Sequence, residues 1–348
     1  MSRADRLVAL LEERSLDSLL VSDLVNVRYL TGFTGTNGAC VVTGSERFFL
    51  TDTRYTQQAR QQVSDFSVVE VGQELLGDIG ARLVGRAGFD DAHVSVRTHG
   101  KLAAAHPDLV AAAGLVEDLR AIKEPAELDA LRAATALADG AYESLRSDGL
   151  VGRTEREVAR WIVRFLEDQG ADEVSFPPIV AAADNGALPH AVPRDVPIPA
   201  GTLVVIDLGA RLDGYCSDCT RTFATGPLPD SQAESYEGVR DAQRVAVDEV
   251  RAGISCKEID ADTRAVLESR LGITFEHGLG HGVGLDVHEA PRLARTGEGS
   301  LETGNTVTVE PGVYVAGEFG IRIEDLVAVT EDGCEILTGF TKELVTVD

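Results

Sequence analysis

The chain has 348 residues, 44% of them hydrophobic and 26% charged, an ordinary balance for a soluble globular protein with room for two domains. Its formal net charge of −25 argues against a phosphate-backbone partner, so no nucleic acid is expected. No apolar run approaches the roughly 20 residues needed to span a bilayer, and no membrane partner is expected.

The opening stretch, MSRADRLVALLEERSLDSLL, sets acids on both sides of its apolar positions. It reads as an amphipathic helix and not as a signal peptide, which makes the cytoplasm the expected location. Apolar strands and helical segments then alternate. SLLVS, ACVVTG, RFFLTD and SVVEV carry strand character, and ADRLVALLEERSL, RYTQQARQQV and ELLGDIGARLVGR carry a 3.6-residue period. This predicts an N-terminal α/β domain over residues 1–122. The pattern changes at LRAIKEPAELDALRAATALADGAYESL, where a long amphipathic helix starts at Glu124 or Pro125. Residues 123–348 form the second predicted domain. TEREVARWIVRFLEDQG has an N-cap at Thr154, a capping box through Glu157 and a stop at Gly170. Two more helices follow, in SYEGVRDAQRVAVDEVRAG and SCKEIDADTRAVLESRLG. TLVVIDLGARLDGYCSDCTRTFA, NTVTVEPGVYV and GIRIEDLVAVT alternate like antiparallel strands, so this half reads as α+β.

There are five cysteines, Cys40, Cys216, Cys219, Cys256 and Cys334. An odd, sparse set does not build a disulfide framework. Cys216 and Cys219 form a lone C-x-x-C with no second pair, which does not point to a redox or zinc-ribbon site.

HGLGHGVGLDVHE, residues 277–289, places His277 and His281 four apart, the spacing of a zinc helix. Four alternating glycines make a helix improbable there, since each costs about 1 kcal/mol relative to alanine. No Glu follows His277 as an H-E-x-x-H site requires. An extended or looped backbone running close to a neighbour is expected.

Asp213-Gly214 is a two-residue hairpin signal. With that turn Leu212 faces Tyr215, Gly209 faces Asp218 and Asp207 faces Thr220, so Asp207 and Asp218 share a face as diagonal neighbours, about 7–8 Å apart at Cα. Both carboxylates can reach one divalent ion; a turn-supporting Asp, or a pair with Arg211 or Arg221, is the plainer alternative. Downstream, an odd-length loop centred near Gly317 sets Glu310 and Glu324 on one face, with Arg322 sharing it. Pro311 marks a bulge or a strand end. Four acids and a nearby histidine make a hard, oxygen-rich set suited to Mn2+, Co2+, Fe2+ or Zn2+, more readily as a pair of ions than as one tetrahedral zinc. Two ions about 3.5–4 Å apart are a standard arrangement for metal-assisted hydrolysis.

These stretches, with NVRYLTGFTGTNG, LTDTRYTQQA and FPPIVAAADNGALPHA, resemble the creatinase/prolidase/Xaa-Pro aminopeptidase group of M24 metallopeptidases over nearly the whole chain. The resemblance implies a creatinase-like N-terminal α/β domain followed by a pita-bread α+β catalytic domain with antiparallel sheet. It implies two divalent metal ions, manganese first and cobalt, zinc or iron as alternatives. Their ligands would be Asp207, Asp218, His281, Glu310 and Glu324, with Asp218 and Glu324 bridging. His190 and His288 match substrate-side histidines, Glu310 also a proton shuttle, and His277 and Arg322 match positions beside the metals. The implied activity is an Xaa-Pro aminopeptidase acting on proline-containing peptides by attack of a metal-bridging hydroxide, in a homodimer or larger homo-oligomer. An Xaa-Pro dipeptidase (prolidase) is the alternative, and an inactive pita-bread binding module the reading from another class. Cys216 and Cys219 depart from the small or aliphatic residues usual beside this ligand, and inhibition by thiol reagents is expected from them.

Overall fold

Strand and helix alternate through residues 1–120 because each strand needs cover on both faces, and the result is one mixed sheet. A computed structural model describes residues 1–348, which divide into two compact units, Met1–Arg120 and Ala121–Asp348. The first unit has strands β1 (Ser18–Val21), β2 (Ala39–Thr43), β3 (Arg47–Asp52), β4 (Ser67–Val71), β5 (Ala87–Phe89) and β6 (Leu109–Ala111), in the order β4-β3-β2-β1-β5-β6. β2 runs antiparallel to β1 and β3, and the other pairings are parallel. β1 and β2 are buried at every position, so their sequences run apolar without alternation. The helix Arg3–Glu13 starts at a Ser2/Asp5 capping box and buries Ala4, Leu7 and Leu11 at helical spacing. The helix expected across residues 74–86 is only Leu76–Gly80, because Gly77 and Gly80 weaken it. β5 and β6, three residues each, are too short to show a period.

The second unit carries four long helices, Pro125–Asp148, Glu155–Asp168, Asp230–Glu249 and Cys256–Leu271. Its strands are β7 (Glu173–Val174), β8 (Ile179–Ala182), β9 (Leu203–Leu208), β10 (Ala210–Leu212), β11 (Tyr215–Cys216), β12 (Cys219–Ala224), β13 (Gly280–Gly282), β14 (Glu289–Leu293), β15 (Thr306–Val309), β16 (Gly312–Val315), β17 (Phe319–Arg322), β18 (Asp325–Val329) and β19 (Cys334–Ile336). They form the sheets β12-β9-β8, β11-β10-β7, β14-β13-β15-β18-β19 and β16-β17, with every strand pairing antiparallel. The first two helices pack on β8, β9 and β12, where Tyr142 and Ile162 meet Val180, Val204, Ile206 and Phe223. The last two pack on the other half, where Val239, Ile259 and Leu267 meet Val307, Ile321 and Val327. Helices outside and antiparallel strands between them make the pita-bread arrangement. No helix among the described residues is long and apolar enough to cross a membrane.

Two strand registers bring the acids of this unit onto shared faces. Asp213 and Gly214 both take positive φ, 48° and 80°, which closes the β10–β11 turn with Leu212 opposite Tyr215. One ladder further on, Asp207 lies opposite Thr220. In the second hairpin Gly312 pairs with Arg322 and Val309 with Asp325, so Glu310 and Glu324 face each other in the gap between two ladders. The gap exists because Pro311 has no N–H to donate.

The segment 277–289 is not helical. β13 runs so close to its neighbours that a Cβ on Gly280 would sit 1.9 Å from the Thr308 carbonyl oxygen. Gly280→Ala is therefore expected to lower stability by roughly 2–3 kcal/mol in urea unfolding, whereas Gly333→Ala, at an open site, leaves it within about 0.5 kcal/mol. Equal stabilities would contradict the close approach.

Candidate metal centre

One cavity of about 440 Å3 in the second unit is lined by Asp207, Asp218, His281, Glu310 and Glu324, and equally by His190, His277, His288 and Arg322. Residues from well-separated parts of the sequence thus meet at one place. Asp207 is near the end of the buried strand β9, Asp218 sits between β11 and β12, His281 is central in β13, and Glu310 and Glu324 flank the Pro311 gap. Ligating atoms of Asp218, His281 and Glu324 all lie within 4.8 Å of one another.

The electrostatics define the problem this cluster poses. Four carboxylates are gathered around a single guanidinium. Arg322 donates through Nη2 to Asp207 (2.7 Å), through Nε to Thr220 Oγ1 (2.9 Å), and through Nη1 to Tyr314 Oη (3.0 Å) and the Pro189 carbonyl (3.2 Å). Arg211 pairs instead with Glu173 and Arg221 with Asp325, so neither neutralises Asp207. Asp207 Oδ1 is buried without a hydrogen-bond partner. Burial pushes the Asp218 and Glu324 carboxyls well above the usual range, and the neighbouring carboxylates push them further. Burial, with Asp207 adding to it, raises Glu310 to about 7. An orphaned buried oxygen and mutually repelling buried acids fit bound cations, because a charge taken from water needs a counter-charge.

The histidines divide by what their ring nitrogens do. His281 Nδ1 lies 3.0 Å from the Gly282 carbonyl, an acceptor only, so Nδ1 carries the proton and donates. Its Nε2 lone pair is then free, 3.6 Å from Asp218 Oδ2 and 3.4 Å from Glu310 Oε1. Burial holds the ring down to about 4, so it is neutral near pH 7, the form that can ligate. His277 likewise donates from Nδ1, to the Gly278 carbonyl (2.7 Å), but its Nε2 accepts from the Tyr314 hydroxyl (3.0 Å). That lone pair is taken, which is why only one of the two histidines at i, i+4 spacing is available to a cation. The His288 ring packs edge-on against His281 at 4.4 Å between centroids. The helix Cys256–Leu271 steadies the segment before β13: the buried Asp260 accepts from the Leu279 N–H (3.0 Å), and Arg264 donates to the Phe275 and His277 carbonyls.

Several participants were invisible in the sequence. Thr220 accepts from Arg322 and so must donate its own hydroxyl proton to Glu324 Oε2, 2.7 Å away. Its place opposite Asp207 was the available signal. Arg292 stands opposite His281 across the β13–β14 pairing and lines the cavity, as do Phe176 and Ile179; no spacing pattern marks Arg292. The expected thiol sensitivity is corrected: Cys216 and Cys219 are fully buried, their thiols are pushed up by burial, and they lie against the Leu285 and Glu324 carbonyls. A thiol reagent does not reach them in the folded chain.

The geometry has counterparts. The sequence profile of metallopeptidase family M24 matches residues 129–331, and that of the creatinase/prolidase N-terminal domain matches residues 3–122. An Xaa-Pro dipeptidase of Pyrococcus furiosus is 33% identical over 355 residues, 99% of both chains. Among solved structures, an Xaa-Pro dipeptidase from Bacillus anthracis superposes with a TM-score of 0.96 at 36% identity, covering 99% of each chain. An X-Pro aminopeptidase from Thermotoga maritima superposes with a TM-score of 0.89 at 31% identity, covering 96% of this chain and 99% of that one.

The raised Glu310 carboxyl gives a signed pH dependence. Its pKa of about 7 in the fold exceeds the ordinary 4.5, so the metal-free folded state binds the proton more tightly than the unfolded chain. The stability it contributes is full below about 4.5 and is lost as pH rises through about 7. With chelator present, the wild-type melting temperature is expected to fall relative to Glu310→Gln between about pH 5 and about pH 8. Added divalent ion should stabilise the wild type more at the upper end, where no proton competes. A wild-type curve that stays parallel to the variant's would contradict this.

Proposed function

The chain belongs to metallopeptidase family M24, and from that premise we propose that it is an Xaa-Pro dipeptidase, hydrolysing the bond between an N-terminal residue and a C-terminal proline. The observation that carries the choice of a dipeptide is Arg292. Its exposed side chain edges the cavity, and among the described residues it has no hydrogen-bond or ion-pair partner. In an Xaa-Pro dipeptide the free carboxylate is attached to the proline Cα, next to the scissile nitrogen. A cation at the rim of an anionic centre recognises that group, and a longer peptide has no charge there to offer. The relatives lean the same way, since the Bacillus anthracis dipeptidase superposes more closely than the Thermotoga maritima aminopeptidase. Nothing about the cavity favours the expected aminopeptidase over the dipeptidase. The complete set of five ligand-type side chains counts against an inactive binding module.

Asp207, Asp218, His281, Glu310 and Glu324 are the residues that would hold the divalent ions. Bound there, such ions supply an activated water at neutral pH and polarise the scissile carbonyl. The chain's own groups do the rest. Glu310 lines the same cavity and can take a proton and pass it to the leaving proline nitrogen. His190 and His288 line the same cavity and can each donate an N–H to the developing oxyanion. Phe176 and Ile179 give the cavity an apolar wall. Arg322 and Thr220 hold Asp207 and Glu324 in place. The same proposal keeps manganese as the first-choice metal, a cytoplasmic location, and a homodimer or larger homo-oligomer.

The test compares Ala-Pro, Ala-Pro-amide and Ala-Pro-Ala in manganese-loaded enzyme. Ala-Pro is expected to be the best substrate by about tenfold or more in kcat/KM, and Arg292→Ala to raise KM for Ala-Pro about ten- to hundredfold while barely changing the amide. Equal turnover of all three, with Arg292→Ala acting on none selectively, would return the assignment to the aminopeptidase.

A further inference from the structure

The stretch from Ala183 to Arg194 carries His190 into the cavity, yet apolar burial does little to hold it. Leu188 and Val192 on either side of His190 are 58% and 76% exposed. Gly186 supplies the floor, packed so tightly on Gly320 that a Cβ at Gly320 would lie within 1.8 Å of the Gly186 carbonyl oxygen. The Pro189 carbonyl accepts from Arg322. Neither contact fixes the two ends of the loop.

One carboxylate bonds to both ends, beside the backbone pairing of Ala182 with Val204 and the bond from the Arg156 N–H to the Arg194 carbonyl. Glu155 is the first residue of the helix Glu155–Asp168 and is 1% exposed. Its Oε1 accepts from the Ala182 N–H (2.9 Å), where the chain enters the loop. Its Oε2 accepts from Asn185 Nδ2 (2.8 Å), inside the loop, and from the Arg194 N–H (2.7 Å), where the chain leaves it. The Arg194 guanidinium, 3.4 Å from the same carboxylate, also grips Asp184 with two bonds of 3.0 and 3.1 Å. Every bond that the Glu155 carboxylate accepts thus comes from residues 182–194. The negative charge sits at a helix N-terminus, which favours it, and its bonds are charge-assisted. A buried acid that served only the core would spread its bonds over the core.

We propose that Glu155 is a positioning residue of the reaction: by clamping both ends of the loop it sets the pose of His190. This rests on the reading of His190 as a group facing the substrate. Glu155→Gln keeps the shape of the side chain but turns one acceptor oxygen into an NH2 that confronts N–H donors, so one end of the loop loses its side-chain anchor.

In the metal-loaded enzyme, Glu155→Gln is expected to lower kcat about ten- to hundredfold with little change in KM, since a misplaced group costs the transition state more than the ground state. Hydrogen exchange of the amides of residues 182–194 should quicken in the variant while the rest of the chain keeps its protection. The decisive measurement is the double-mutant cycle with His190→Ala: in that background Glu155→Gln should leave kcat unchanged, because the group it positions is gone. A full additional loss of kcat in the His190→Ala background, or unchanged exchange in the loop, overturns the proposal. If Glu155→Gln does not accumulate folded, Asn185→Ala removes one donor to the clamp and should give a smaller loss with the same non-additivity. The cycle can be run on any Xaa-Pro peptide the enzyme cleaves, so failure of the dipeptide preference and failure of the Glu155 clamp are seen in separate experiments.

Discussion

Buried negative charge is the constraint on which the catalytic half depends. Four carboxylates are taken out of water into one cavity, and Arg322 is the guanidinium set among them. The desolvation cost of such a cluster is far larger than any one hydrogen bond returns. The fold shows this in two ways: burial raises the Glu310, Asp218 and Glu324 carboxyls above their ordinary range, and Asp207 Oδ1 is left without a partner. Both states are relieved by cations, so metal binding and stability of this half are one problem.

Positioning the cluster falls to strand registers more than to packing. The β9–β12 ladder puts Asp207 opposite Thr220, and the break at Pro311 lets Glu310 and Glu324 face one another without a ladder bond between them. Beneath the first ladder the Tyr142 hydroxyl lies against the carbonyls of Ile206 and Cys219, tying the long helix Pro125–Asp148 to both strands. Beneath the second, the buried Arg221 pairs with Asp325, whose other oxygen accepts from Gln243 and Lys342. Asp325 is a structural acid, held well paired and ionised, one residue from Glu324, which is left poorly compensated. Adjacent residues on a strand point to opposite faces, and here one face is a satisfied ion-pair network and the other the metal cavity.

The cavity pairs this anionic floor with a cationic rim and an apolar wall. That combination suits the small substrate proposed above, with a free carboxylate and a compact apolar side, and the proposal gives Arg292 a purpose that the metal cluster alone would not. The loop bearing His190 exposes Leu188 and Val192 to solvent, and a buried carboxylate outside the cavity accepts from both of its ends.

Sequence alone carried a good deal of this. The Asp213-Gly214 turn and the odd loop about Gly317 each determined a register, and with it which acids share a face, because side-chain direction in a strand has a period of two and a turn sets its phase. The four glycines of residues 278–284 ruled out the zinc helix for the local reason that glycine destabilises helices. What sequence could not decide were the contacts between segments far apart in the chain. That His277 spends its lone pair on Tyr314, that Cys216 and Cys219 are sealed from reagents, that Arg292 stands unpaired opposite His281, and that Glu155 reaches across to residues 182–194 depend on how distant strands and helices pack. No local spacing encodes those contacts, since each is set by the three-dimensional path of the backbone and only then by the side chain that happens to meet it.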